Sequence, residues 1–255
     1  MLQKYKQIFN KMCTQKNIFI LVLFYACSSC VWAQTTPEFL LKKNSVSAIA
    51  ITTSGWGVAH SRSLQKTAAT NRTLELGLYA IHHPKEIKTF ASYSSQNRSY
   101  IFGKQYSFYA LEMGLGYQKL VFEKDKDKGV SLHRYLSAGM SLGLLQPVYL
   151  KVATPTDQQP LLTQTVLYDP NSHFPDKIAG RADIGTGLNQ MRPKPGIYAK
   201  AGLLFDASSE YERILAFDLG LKLSYYPQPI AMMAFNKPQN LWVTAYFSVG
   251  IGRRY

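Results

Sequence analysis

The chain is poor in cysteine, in acid and in long apolar runs. All three cysteines, Cys13, Cys27 and Cys30, fall near the N-terminus, so a chain trimmed beyond them can form neither disulfides nor thiolate metal sites. Asp and Glu number 15 against 29 Lys and Arg, giving a formal charge of +14. Past the N-terminal segment no stretch is long and apolar enough for a transmembrane helix. If that part of the chain crosses a membrane it must do so with strands, because every backbone polar group in hydrocarbon needs an internal partner.

Recognisable chemistry is equally scarce. Asp183-Ile184-Gly185-Thr186-Gly187 lacks the Gly-Lys-Ser/Thr ending of a phosphate loop. His82 and His83, and His173 near Asp169, Asn171 and Asp176, match no calcium or zinc spacing. On a strand only i, i+2 neighbours share a face. His60 has Arg62 at that place, and His133 has Ser131, at the periplasmic rim of the topology drawn below, so neither makes a His–hydroxyl pair at the outer rim. We therefore expect no catalytic, cofactor-binding or metal-binding residue and no enzymatic activity. Without a stripe of alternating basic and aromatic residues, nucleic acid is not an expected partner.

The N-terminus reads as an export signal. Lys4, Lys6, Lys11 and Lys16 precede an apolar run from Ile18 to Ala26, followed by Val31-Trp32-Ala33 and Gln34, the order of a basic region, a hydrophobic region and a small-residue cleavage site. Residues 1–33 are thus expected to be a signal peptide, and 34–44 a short periplasmic lead-in. Setting aside the four lysines leaves a charge of +10 on the remaining 222 residues.

What the rest of the chain has is alternation. Leu241, Val243, Ala245, Phe247, Val249 and Ile251 share one face, and Trp242, Thr244, Tyr246, Ser248, Gly250 and Gly252 the other. A strand of about ten residues with one apolar and one small or polar face is the unit of a transmembrane barrel. The pattern recurs over Tyr211–Tyr225, Ile197–Phe205, Leu132–Leu144, Phe108–Tyr117 and Leu74–Ile81. Two less regular segments, Val46–Thr53 and Trp56–Leu64, flank a tight turn at Ser54-Gly55 and leave their lipid-facing side undetermined.

The sum is an all-β fold: an eight-stranded antiparallel up-and-down transmembrane β-barrel over residues 45–255, with short periplasmic turns and longer extracellular loops. The longest connection, 146–195, carries several prolines and is expected to hold local structure or to fold over the barrel mouth.

Eight strands enclose a space that side chains fill. The predicted inward faces carry Glu75, Glu112, Lys200, Glu212, Asp218, Lys222 and Arg254, and enclosed charges must pair. Register read from the turns puts Lys200 near Asp218, with Glu112 at similar depth, and Glu212 near Arg254. A salt-bridged plug and a polar pathway are the two readings of such an interior. Outside the wall, the loop 82–105 carries Lys85, Lys88, Arg98 and Lys104 against Glu86 alone, a basic cluster suited to lipopolysaccharide phosphates.

The Val31-Trp32-Ala33/Gln34 processing site, the eight strands and the aromatic last residue resemble small outer-membrane β-barrel proteins of Gram-negative bacteria. Pro195-Gly196-Ile197-Tyr198-Ala199-Lys200-Ala201-Gly202, Pro229-Ile230-Ala231-Met232-Met233-Ala234-Phe235-Asn236 and His83-Pro84-Lys85-Glu86 resemble segments of uncharacterised Bacteroidota barrels. The resemblance implies that fold and a place in the cell outer membrane; the chain is expected to be a monomer, inserted by the barrel-assembly machinery and surrounded by outer-membrane lipids and lipopolysaccharide. It implies no catalytic residue and no cofactor. The expected role is non-enzymatic, in envelope structure or surface interaction; the alternatives are a narrow solute channel, an accessory barrel of a protein-secretion system, or a lipid-modifying enzyme.

Overall fold

The structure, a computed structural model, describes residues 43–67, 69–90, 99–124, 129–153, 163–170, 172–173, 175–183, 185–208 and 212–255. The signal peptide, the lead-in as far as residue 42, Arg98 and Asn171 lie outside the described residues.

Among the described residues thirteen strands follow in order: β1 (Lys43–Thr52), β2 (Gly55–Thr67), β3 (Thr70–Ile81), β4 (Lys88–Phe90), β5 (Ser99–Ile101), β6 (Tyr106–Phe122), β7 (Ser131–Pro147), β8 (Tyr149–Ala153), β9 (Thr163–Leu167), β10 (Ile178–Arg181), β11 (Arg192–Asp206), β12 (Arg213–Ile230) and β13 (Gln239–Arg254). Eight of them, β1, β2, β3, β6, β7, β11, β12 and β13, close into one antiparallel barrel in which each pairs with the next and β13 pairs with β1. The expected up-and-down architecture is the one observed.

Closure requires tilt, and the register shows it. Register partners followed round the wall run from Arg213 through Arg253, Ser45, Arg62, Leu74, Leu115, Ala138 and Ala199 to Leu223. The path returns to β12 ten residues above its start, the stagger that tilted strands need to seal a small barrel. Strand ends at Lys43 and Arg254 lie together, since Lys43 and Tyr255 exchange backbone hydrogen bonds of 2.8 and 2.9 Å. We call this the terminal end, and the opposite one the loop end.

The first hairpin, whose facing the sequence left open, is fixed by its turn. Thr53 and Ser54 form it and Gly55 opens β2 at φ 151°, where a Cβ would lie 2.0 Å from the Ala80 carbonyl oxygen. Glycine is the residue that fits such a backbone. The turn sits one residue earlier than expected and places Ser47 opposite His60, Ile49 opposite Val58 and Ile51 opposite Trp56. Ile49, Ile51, Trp56 and Val58 are thereby exposed on the outside, while Ala50 and Gly57 are buried.

Elsewhere the alternation sorts the side chains as expected. Leu219, Leu221, Phe247 and Val249 lie on the outer surface; Asp218 and Lys222 are buried. Leu115, Met140 and Ile251 are more than 70% exposed, an apolar exterior that a water-soluble barrel could not carry. Among the described residues no helix is long and apolar enough to cross a membrane.

At the loop end the long connection builds its own structure. β10, β8 and β9 form a three-stranded sheet, and β4 pairs with β5. Tyr100, Leu150, Tyr168 and Ile178 make a small apolar core with Val148 against it. Gly103 N–H donates to the Tyr168 hydroxyl at 2.9 Å, and Gln146 Nε2 donates to the Thr186 carbonyl at 3.0 Å. Burial holds the phenols of both Tyr100 and Tyr168 above the ordinary tyrosine range.

Candidate functional site: a layered barrel interior and a basic outer rim

The interior has three layers. Nearest the loop end, Phe108, Tyr226 and Trp242 pack with Ile81, Ile230 and Met232 into a buried apolar cluster. Phe108 meets Tyr226 edge-on at 5.4 Å between centroids and Trp242 at 5.9 Å, the offset geometry that aromatic quadrupoles favour. Tyr226 is 0% exposed and its hydroxyl is 2.7 Å from Ser141 Oγ. This layer is a plug.

The middle layer is ionic. Lys200 Nζ lies 3.0 Å from Glu75 Oε1 and 3.0 Å from Asp218 Oδ2. Lys222 Nζ lies 3.0 Å from Glu112 Oε1 and 3.2 Å from Glu112 Oε2. Three carboxylates therefore share two ammonium groups, and hydroxyls take up the remainder. Tyr135 and Ser137 donate to Glu75, and Tyr246 donates to Asp218 at 3.0 Å. Each ammonium also sits over an aromatic ring, Lys222 over Tyr79 at 3.5 Å and Lys200 over Tyr246 at 4.4 Å, which adds cation–π attraction in a desolvated place.

Why these partners form is visible in the backbone. Lys200 and Lys222 are direct register partners, so two like charges start side by side and are drawn to separate carboxylates. Glu75 reaches Lys200 from β3, across two intervening strands, because the inward positions between them are the small residues Gly114, Gly116, Ser137 and Gly139. Any Cβ at Gly139 would meet the Met113 carbonyl oxygen at 2.1 Å. Tyrosines use the same space: a Cβ on Gly202 or Gly220 would fall 2.5 or 2.7 Å from the Tyr246 hydroxyl.

The terminal-end layer is looser. A cavity of about 50 Å³ touches Glu75, Asp218 and Lys200 and is otherwise lined largely by small residues such as Ala48, Ala59, Ala216 and Gly250. It has room for about one or two waters. Below it, the Arg254 guanidinium pairs with Asp206.

Two expected pairings are corrected. Arg254 binds Asp206 rather than Glu212; Glu212 is exposed and offers Arg254 only its backbone carbonyl, at 2.8 Å. β12 begins at Arg213, so Glu212 belongs to a bend where alternation no longer sets direction. Glu112 does not complete the Lys200–Asp218 pair: Glu75 does, and Glu112 serves Lys222. The alternation that ends at Phe205 reads Asp206 as turn, so the pattern does not mark it as an inward residue.

The loop cluster is also smaller than expected. Lys104 is buried and 2.7 Å from Glu86, and Lys85 donates to Asn236 Oδ1 at 2.9 Å. Lys88 is exposed. Basic charge instead gathers on the outer wall at the terminal end. Lys43, Arg62, Arg72, Lys119, Arg134, Arg213 and Arg253 all face outward there, whereas Glu75, Glu112, Asp206 and Asp218 all face inward. No carboxylate faces outward on any of the eight wall strands.

The same wall holds a Ser–His contact that same-strand spacing cannot reveal. His60 Nδ1 is 3.0 Å from Ser47 Oγ and its Nε2 is 3.4 Å from Ser45 Oγ. The correct register of the first hairpin is the signal that finds it. A hydrolytic site also needs a group to orient the histidine and donors for an oxyanion. On the wall strands no carboxylate faces outward and the strand N–H groups are engaged in the ladder, so among the described residues the pair has neither. Among the described residues no cluster of His, Cys, Asp and Glu could hold a metal ion.

Fold and interior thus define a closed antiparallel barrel with an apolar outside and an ion-paired inside. No known protein family matches the chain, and no characterised protein matches it in sequence. Among solved structures it is similar to a major outer membrane protein from Thermus thermophilus, at TM-score 0.45 and 9% identity over 85% of this chain and 100% of that one. It is similar also to Neisserial surface protein A, at TM-score 0.37 and 11% identity over 84% of this chain and 97% of that one. A third is the N-terminal β-barrel domain of Pseudomonas aeruginosa OprF, at TM-score 0.36 and 10% identity over 84% and 97%. Likenesses this distant say nothing of ligand or partner.

Proposed function

We propose that the protein is a non-enzymatic, non-conducting barrel of the cell outer membrane, which holds a structured cap on the outside of the cell for contact with lipopolysaccharide and neighbouring surfaces. The observation that carries this reading is the inversion of polarity: exposed leucines, isoleucines and valines around the wall, and charges paired within it. Lipid is the solvent for which that arrangement is stable. Export through the signal peptide, insertion by the barrel-assembly machinery and a monomeric state accompany the proposal.

The aromatic plug favours a sealed wall over a solute channel. The cap favours surface contact. Ile87, Phe90 and Phe235 are exposed there, and Phe235 is held at φ 63°, a conformation that non-glycine residues adopt at some cost. Lys85 and Lys88 remain for lipopolysaccharide phosphates. Cell fractionation with a heat-modifiable gel shift tests the compartment. Binding of the folded protein to vesicles with and without lipopolysaccharide tests the contact, with K85Q/K88Q expected to bind more weakly; a soluble protein, or equal binding by that variant, would sink the corresponding half.

A further inference from the structure

The outward charges of the wall are one-signed and sit at one end, and a groove lies among them. It runs down the outside of the barrel across β1, β2, β3, β6 and β7, with a volume of about 810 Å³, within the range of pockets that hold a whole small ligand. Its mouth carries Lys43, Arg62 and Arg72; its floor is Leu74, Leu115 and Leu136. Tyr117 and Tyr255 stand at its edges, 46% and 66% exposed, as aromatic residues do at a head-group boundary. Among the described residues none of the three cations is in an ion pair with a carboxylate. Beside the mouth, His60, Ser45 and Ser47 form a polar notch in an otherwise apolar wall.

We infer that this groove holds a single anionic glycerophospholipid of the leaflet at the terminal end. Its phosphate lies among Lys43, Arg62 and Arg72, and an acyl chain lies along Leu74, Leu115 and Leu136. The inference rests on the outer-membrane reading and adds an occupant to it. Charge complementarity selects that occupant. A cluster of cations at the membrane boundary attracts anionic lipid by roughly fivefold per residue, and on the wall strands no outward carboxylate stands beside them to offset it. A second copy of this chain would bring the same cations against themselves.

The test uses the folded full-length protein, released from the membrane in mild detergent and exchanged into nanodiscs of phosphatidylcholine with a small fraction of phosphatidylglycerol. Native mass spectrometry of the released protein is expected to show one retained phosphatidylglycerol. K43Q/R62Q/R72Q is expected to lose it by about tenfold or more, while K119Q/R134Q, on the same rim but outside the groove, keeps it. Inorganic phosphate in excess does not displace the lipid, because phosphate alone has no chain for the leucine floor.

A heat-modifiable shift run alongside shows that each variant is folded. A protein that gives no such shift and enters no bilayer overturns the compartment reading itself. Equal retention by the triple variant, indifference between phosphatidylglycerol and phosphatidylcholine, a stable dimer without lipid, or retention only after removal of residues 34–42 would each overturn the lipid site while leaving the barrel in place.

Discussion

Lys222 and Glu112 face each other across the barrel lumen with both carboxylate oxygens within 3.2 Å of one ammonium nitrogen, and each is at most 4% exposed. An enclosed pair of this kind contributes little net stability, because desolvation offsets most of the attraction. Its physical weight shows when one partner is taken away, leaving a charge with no water and no counterion.

Glu112→Ala is therefore expected to lower unfolding free energy by about 3–5 kcal/mol, and Glu112→Ala with Lys222→Met to lower it by distinctly less. Urea unfolding in phospholipid vesicles, followed by tryptophan fluorescence, measures both. This pair suits a double-mutant cycle better than Lys200 with Asp218, since Glu75 also touches Lys200 and would be left alone if both were removed. Additive losses from the two substitutions would show that no coupling exists.

The ionic layer also shows what the sequence can and cannot reveal. Period-two alternation names which residues turn inward, so Glu75, Glu112, Lys200, Asp218 and Lys222 can be placed inside from the order of residues alone. It does not give partners, because contacts across a lumen depend on shear and on where glycine leaves room. Lys200 finds Glu75 through the gap at Gly114, Gly116 and Gly139, a relationship between strands far apart in the chain. At strand ends the pattern stops, which is why Glu212, expected inside, is exposed and Asp206 takes its place beside Arg254. The Ser47–His60 contact waits on one turn, since a one-residue change at Thr53-Ser54 alters every pairing in the first hairpin.

The aromatic plug should make the barrel electrically silent. Wild-type protein in planar bilayers is expected to show no stepwise conductance. Trp242→Ala together with Phe108→Ala removes two of the three rings at the layer and leaves the ionic network below untouched. Brief openings should appear in that variant, with a stability loss of several kcal/mol, since each large-to-small change in a packed core costs about 3–5. Steady conductance from the wild type would show that the plug does not seal.

Alkali should loosen the cap before it unfolds the wall. Burial raises the Tyr168 phenol above its ordinary value, so the neutral form is favoured in the docked cap relative to an open one. For an acid whose pKa is raised on docking, the contribution is complete below the free tyrosine pKa of about 10. It is lost as pH climbs from there through the docked value. Ionising Tyr168 also places an anion in the small core beside Leu150 and Ile178, so the opposite sign is not available. Trypsin cleavage within the cap, quenched at intervals and read on unboiled gels, should accelerate above about pH 10 while the barrel keeps its folded mobility. Tyr168→Phe gives up the hydrogen bond from Gly103, which makes its cap more easily cut at neutral pH, but it removes one of the two buried phenols that titrate. Its alkaline rise should be smaller than the wild type's. A rise of the same size in Tyr168→Phe would place the pH-sensitive group elsewhere.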